Sequence, residues 1–158
     1  MKPADLSAVV PTAVVVAWKK YYAAHYLDYL IFYEEIPALL EELGRRRIKS
    51  QVVSNKSQSL IIQGLARHQL LKHFTSVLGK ENMIPKPNPD GILRVQKQEN
   101  CDLDEMLYIG DSLVDLKTAK NARCPVGVAI WGKNNRTILE PLRPNYFFAS
   151  PLDILTIF

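Results

Sequence analysis

Residues 110–120 read Gly-Asp-Ser-Leu-Val-Asp-Leu-Lys-Thr-Ala-Lys and directly follow the apolar run Met106-Leu107-Tyr108-Ile109. A buried strand thus delivers Asp111 to a Gly-Asp turn, and a helix beginning there places Asp115 one turn further along on the same face. Two carboxylates at the C-terminal end of a strand suit a hard, oxygen-seeking cation such as Mg²⁺. Two more polar clusters follow strand-like segments. Ser54-Asn55-Lys56 comes after Ile48 to Val53, and Lys86 sits in the rigid loop Ile84-Pro85-Lys86-Pro87-Asn88-Pro89-Asp90. A hydroxyl and helix N-terminal amides hold phosphate oxygens, a lysine neutralises their charge, and carboxylates hold Mg²⁺. Together the three clusters describe a phosphate-and-magnesium site.

The elements that must position them are legible from periodicity. Helical spacing runs from Pro11 to about Leu30, with a β-branched Val14-Val15-Val16 that also permits a short strand. A second helix spans Glu34 to Leu43, with Pro37 in its first turn and Gly44 as its stop. Ile48 to Ser54 reads as a strand, and Ser57 as the cap of a helix reaching about His68. Thr75–Leu78 is a short strand, and a helix follows the Pro-rich loop to about Glu99. Met106–Gly110 is a strand, Leu113–Ala122 a helix, Val126–Ile130 a strand, and Tyr146–Ala149 a last short strand before a terminal helix. Strands alternating with helices predict an α/β fold, a mostly parallel sheet covered on both faces, with ligands at the carboxyl ends of its strands.

Composition narrows the function classes. The chain has 158 residues, 47% hydrophobic and 23% charged, enough apolar material for a core. Twenty basic residues stand among sixteen acidic ones, for a net charge of +4, with no block that reads as a nucleic-acid arm. The densest basic run, Arg45-Arg46-Arg47, reads as a solvated helix end. Val9 to Ala17 is too short to span a bilayer. Cys101 and Cys124 lack CxxC spacing and no secretory leader precedes them, so a cytoplasmic protein with two reduced thiols is expected. His25, His68 and His73 have no ligand spacing. Trp18, Tyr21, Tyr22, Tyr26, Tyr29 and Phe32 recur at helical spacing and read as packing residues.

The order Ser-Asn-Lys, Lys-Pro-x-Pro, Gly-Asp-Ser-x-x-Asp resembles the haloacid dehalogenase superfamily, in particular its phosphoglycolate-phosphatase-like branch, over about residues 20 to 156. The resemblance implies a Rossmann-like three-layer sandwich spanning residues 33–158, preceded by a residual cap or connecting helix over 1–32. It implies a Mg²⁺-dependent phosphatase acting on a small phosphorylated metabolite. By that resemblance Ser54 binds the transferring phosphoryl group and Asn55 and Lys56 contact substrate. Lys86 neutralises the phosphoryl group and fixes the nucleophile. Asp111 is a Mg²⁺ ligand, and Asp115 supports the metal cluster.

One departure is large. Members of that superfamily begin with a strand carrying Asp-x-Asp, whose first aspartate is the nucleophile. No match precedes Tyr33, where Asp5 and Asp28 stand alone. Asp102-Leu103-Asp104 has the spacing but precedes its strand, at the opposite end of the sheet from the site. The chain resembles a member without its first third, including the central strand, and implies a phosphatase impaired or inactive by itself. The slot beside Ile48–Val53 and Met106–Ile109 could be filled by Ala13–Ala17 as a strand, by another copy or a partner chain, or closed by direct pairing of its neighbours; unfilled edges invite other chains. The alternatives to catalysis are a non-catalytic remnant and an interaction module whose sheet a partner completes. Arg123 stands where relatives end the helix with glycine, in a left-handed cap costing about 1 kcal/mol.

Overall fold

The computed structural model describes residues 12–132 and 136–158. The chain divides into two units, residues 1–32 and 33–158. In the first, α1 (Thr12–Tyr29) is a helix. The strand alternative for Ala13–Ala17 is therefore overturned. Aromatic pairs one turn apart reinforce the helix despite its valines: Trp18 stacks on Tyr22 with ring centroids 5.0 Å apart, Tyr21 on His25 at 4.1 Å, and Tyr22 tilts against Tyr26 at 5.4 Å. Asp5 lies outside the described residues. Among those described, no helix is long and apolar enough to cross a membrane.

The second unit alternates helices and parallel strands: α2 (Ile36–Arg45), β1 (Ser50–Val53), α3 (Gln58–Arg67), β2 (Phe74–Leu78), α4 (Asp90–Glu99), β3 (Tyr108–Gly110), α5 (Leu113–Ala122), β4 (Val126–Ala129), α6 (Arg136–Leu139) and β5 (Tyr146–Phe148). A 3₁₀ segment, Pro151–Ile157, follows β5. Adjacent strand residues serve opposite layers, as the two-residue period requires. Tyr108 joins a cluster built on Ile92, Leu116, Val126 and Val128, whereas Ile109 joins one built on Leu39, Leu43, Phe148 and Ile154. Helices α4 and α5 supply the first layer, and α2 with the C-terminal 3₁₀ segment the second. The four residues of β4 are all buried, and a Cβ at its Gly127 would lie 2.3 Å from the Phe148 ring.

The strands fall into two groups. β1 pairs in parallel with β2, and β3, β4 and β5 pair in parallel in that order. Direct pairing of β1 with β3 does not occur, so each has one ladder neighbour among the described residues.

Several local expectations are revised. Helix α2 runs through Gly44, and the chain turns instead at Arg47, with φ of 61°. Arg46 is more than a solvated end: its guanidinium donates to the carbonyls of Leu155 at 3.0 Å and Phe158 at 2.8 Å. Ser57 precedes α3 without capping it through its side chain. Glu81 accepts from the Gln58 N–H at 2.9 Å and takes that role. Periodicity does not predict the short helix α6. Arg123 does adopt the left-handed conformation, with φ of 60°.

Candidate functional site

The end of β1, the start of β3 and the first turn of α5 meet at one side chain. Lys86 Nζ donates to the Val53 carbonyl at the end of β1 at 3.3 Å, to the Tyr108 hydroxyl on β3 at 3.1 Å, and to Asp115 Oδ1 on α5 at 2.7 Å. These three acceptors use its three N–H donors. The Tyr108 hydroxyl in turn donates to Asp115 Oδ1 at 3.1 Å.

Asp115 is 5% exposed, and both its oxygens are engaged. Oδ2 accepts from the backbone N–H of Ser112 at 3.1 Å, that of Asp111 at 3.3 Å, and the Ser112 hydroxyl. Ser112 and Asp115 thereby form the capping box that starts α5. Gly110 makes the approach feasible, because a Cβ there would lie 2.3 Å from the Asp115 Cβ. Burial pushes the Asp115 carboxyl up, but the Lys86 charge and hydrogen bonds from Lys86, Ser112 and Tyr108 outweigh it and hold the group below its ordinary value. Asp115 is an anion fixed by its fold. Burial first, then the neighbouring Asp115 charge, pushes the Tyr108 phenol well above its usual range, so it remains a neutral donor.

The Lys86 loop is fastened on both sides. Asn55 Oδ1 accepts from the Lys86 N–H at 2.7 Å, and Asn55 Nδ2 donates to the Lys86 carbonyl at 3.1 Å. From α5, Asn121 Nδ2 donates to the Pro87 carbonyl at 2.9 Å. The peptide between Lys86 and Pro87 is cis.

The remaining site candidates divide. The Ser54 N–H extends the β1–β2 pairing to the Leu78 carbonyl at 2.9 Å, while its hydroxyl accepts from the Lys56 N–H at 3.2 Å, a turn that leaves Ser54 beside the lysine's Val53 contact. The Lys56 side chain is exposed. Asp111 is exposed at the end of β3, adjoining the Asp115 cluster through its own N–H. Asp102 and Asp104 sit at the other end of β3, where Asp102 and Glu105 form the capping box of a 3₁₀ turn over Leu103–Glu105. Sequence reasoning does not single out Tyr108 as a site residue; its signal is a hydroxyl-bearing aromatic in an apolar strand, three residues before Asp111.

Among the described residues, no group of three or more histidine, cysteine or acidic side chains is arranged to hold a metal ion. With both Asp115 oxygens engaged by protein donors, Asp111 is the exposed carboxylate beside this cluster among the described residues. That donor set fits Mg²⁺ only as a shared ion, since Mg²⁺ is commonly held by one or two carboxylates with water and substrate phosphate completing the octahedron.

A three-layer α/β fold with a lysine–aspartate pair at the carboxyl ends of its strands defines the class. The chain belongs to the haloacid dehalogenase-like hydrolase family, whose model matches residues 7–129. It is 29% identical over 136 residues to a phosphoglycolate phosphatase from Vibrio parahaemolyticus, a match covering 85% of this chain and 59% of that protein. It is 27% identical over 143 residues to the pyrophosphatase PpaX of Listeria welshimeri, covering 90% of this chain and 66% of that protein. The chain thus spans less than two thirds of the length of these curated relatives. Its fold matches that of a haloacid dehalogenase-like hydrolase family protein from Streptococcus pneumoniae with a TM-score of 0.88 at 19% identity, covering 99% of this chain and 75% of that one.

Proposed function

We propose that this chain carries the phosphate-holding part of a Mg²⁺-dependent phosphomonoester phosphatase whose substrate is a small phosphorylated metabolite. The observation that carries this reading is the Lys86 ammonium, held by Asp115 and Tyr108 against the carbonyl of Val53, the residue before Ser54. The Ser54 hydroxyl and the backbone N–H groups following it bind phosphoryl oxygens. Lys86 exchanges its longest hydrogen bond, to the Val53 carbonyl, for one to an incoming oxygen, while Asp115 keeps the ammonium aimed. Asp111 is the residue that holds Mg²⁺, with Asp115 supporting the cluster from behind through Lys86 and the Ser112 turn. The ion, when bound, supplies positive charge against the phosphoryl oxygens.

Among the described residues the carboxylate bonded to Lys86 is Asp115, whose oxygens are both engaged, so residues 12–158 bind phosphate but turn it over poorly or not at all without an added nucleophile. Hydrolysis of an aryl phosphate with Mg²⁺ tests this, with Asp111→Asn and a chelator as controls. The expected rate equals that of Asp111→Asn. Turnover abolished by both controls means that the chain supplies its own nucleophile and overturns the claim of impairment.

Among the described residues β1 pairs with β2 alone and β3 with β4 alone, which favours a second reading. An extended segment from another copy or a partner chain completes the sheet between them. Mass in solution decides it: a strict monomer that stays soluble contradicts self-completion, and a soluble chain that captures no added strand contradicts the rest.

A further inference from the structure

Asn55 is placed to work on Lys86 from the main-chain side. Its carboxamide presents one acceptor and one donor to a single residue 31 positions later, accepting from the Lys86 N–H at 2.7 Å and donating to the Lys86 carbonyl at 3.1 Å. A neighbouring strand would pair with a residue in the same two-bonded way, and here a side chain substitutes for that strand. Two residues before Asn55, the Val53 carbonyl accepts from the Lys86 ammonium at 3.3 Å. The end of β1 therefore holds both the root and the tip of this lysine, while Asp115 and Tyr108 hold the tip from the other side. Pro85 and Pro87 flank the lysine and restrict the main chain, so the orientation of this one peptide unit decides where the four-carbon stem points. Asn55 itself is exposed. Burial does not require its amide to be paired, and the short contact reflects geometry specific to Lys86.

We propose that Asn55 is a positioning residue for Lys86, clamping the lysine's main chain so that its ammonium stays between Val53, Tyr108 and Asp115. Contact with substrate is then not its principal role. The part of the test that uses phosphate rests on the function proposed above; the part that uses amine reactivity does not.

The test is residue-resolved acylation of lysines by mass spectrometry, alongside titration with inorganic phosphate, on the whole chain. Wild-type Lys86, 14% exposed and hydrogen-bonded three times, reacts slowly. In Asn55→Ala the Lys86 rate rises about fivefold while Lys97 and Lys117 react as before. Asn55→Asp keeps the acceptor for the Lys86 N–H and loses the donor, so its Lys86 rate falls between the two. If Asn55→Ala unfolds the chain, all lysines accelerate together, and Asn55→Asp decides the matter on its own. Phosphate affinity falls in Asn55→Ala, but Asn55→Ala produces no further loss in a Lys86→Gln background, since its effect passes through the lysine. An unchanged Lys86 acylation rate overturns the proposal. So does an equal loss of phosphate affinity with and without Lys86, which places Asn55 on the anion. Absence of phosphate binding by the wild type contradicts the proposed function and leaves the acylation result to decide the clamp.

Discussion

Lys86 Nζ lies 2.7 Å from Asp115 Oδ1, in a pair whose side chains are 14% and 8% exposed. An ion pair this enclosed is strongly coupled to its surroundings: either partner alone would be a charge removed from water without compensation. The fold therefore has a stake in the pair apart from any chemistry it performs.

Removing one member should show this. Lys86→Ala should lower stability by about 3 kcal/mol in urea unfolding, because it leaves the Asp115 carboxylate buried beside a neutral hydroxyl. The double substitution Lys86→Ala/Asp115→Ala should cost clearly less than the sum of the two single ones. Additive losses would mean that the pair is not coupled.

Acid should loosen the molecule through the same carboxylate. Asp115 is held below the ordinary aspartate value of about 3.9, which it regains in the unfolded chain. The folded state thus binds the proton less readily than the unfolded state does. The resulting stability is fully present above about pH 4 and is lost as pH falls through the lower folded value. Asp115→Asn should flatten the dependence of unfolding free energy on pH in this acid range, by at most one proton. A wild-type slope in that variant contradicts the assignment.

How much of this was readable beforehand depended on the range of the interaction. The strands and helices of residues 33–158 follow from apolar periods within about ten residues, which single segments carry. Asp111 and Lys86 stood out because a turn and a Pro-rich loop give them local context. Tyr108 did not, because a tyrosine in an apolar strand looks like core until α5 brings Asp115 within reach of its hydroxyl. Nor did the clamp of Asn55 on Lys86, whose partners are 31 residues apart. The Gly44 expectation failed because the N–H groups of Arg46 and Arg47, bonded to the Glu42 and Gly44 carbonyls at 3.0 Å, close the helix beyond the glycine.

Arg123 offers a gain in stability. It holds φ of 60° and ψ of 32° at the end of α5, where glycine carries no Cβ penalty. Arg123→Gly should raise stability by about 1 kcal/mol, read as a higher urea midpoint with unchanged slope. A lower midpoint would show that the arginine side chain stabilises the fold by more than its backbone strain costs.

The two thiols should differ sharply. Burial pushes Cys124 up to about 11, whereas Cys101 is only half-buried. At pH 8 a thiol reagent should label Cys101 and spare Cys124 until the chain unfolds. Equal labelling rates in the native protein contradict the packing of the α5–β4 corner.

Asp111→Asn should weaken Mg²⁺ binding about tenfold, equivalent to about 1.4 kcal/mol, without altering the circular dichroism, because the residue is exposed. An unchanged calorimetric titration removes Asp111 from the metal site.

The most direct test of the central claim is calorimetric titration of the folded chain with inorganic phosphate in the presence of Mg²⁺, comparing wild type with Lys86→Gln. Saturable one-site binding to the wild type, weakened about tenfold or more by Lys86→Gln while circular dichroism still reports a folded chain, is the predicted result. No binding to the wild type, or equal binding to both, would contradict the assignment of Lys86 as the cation of a phosphate site.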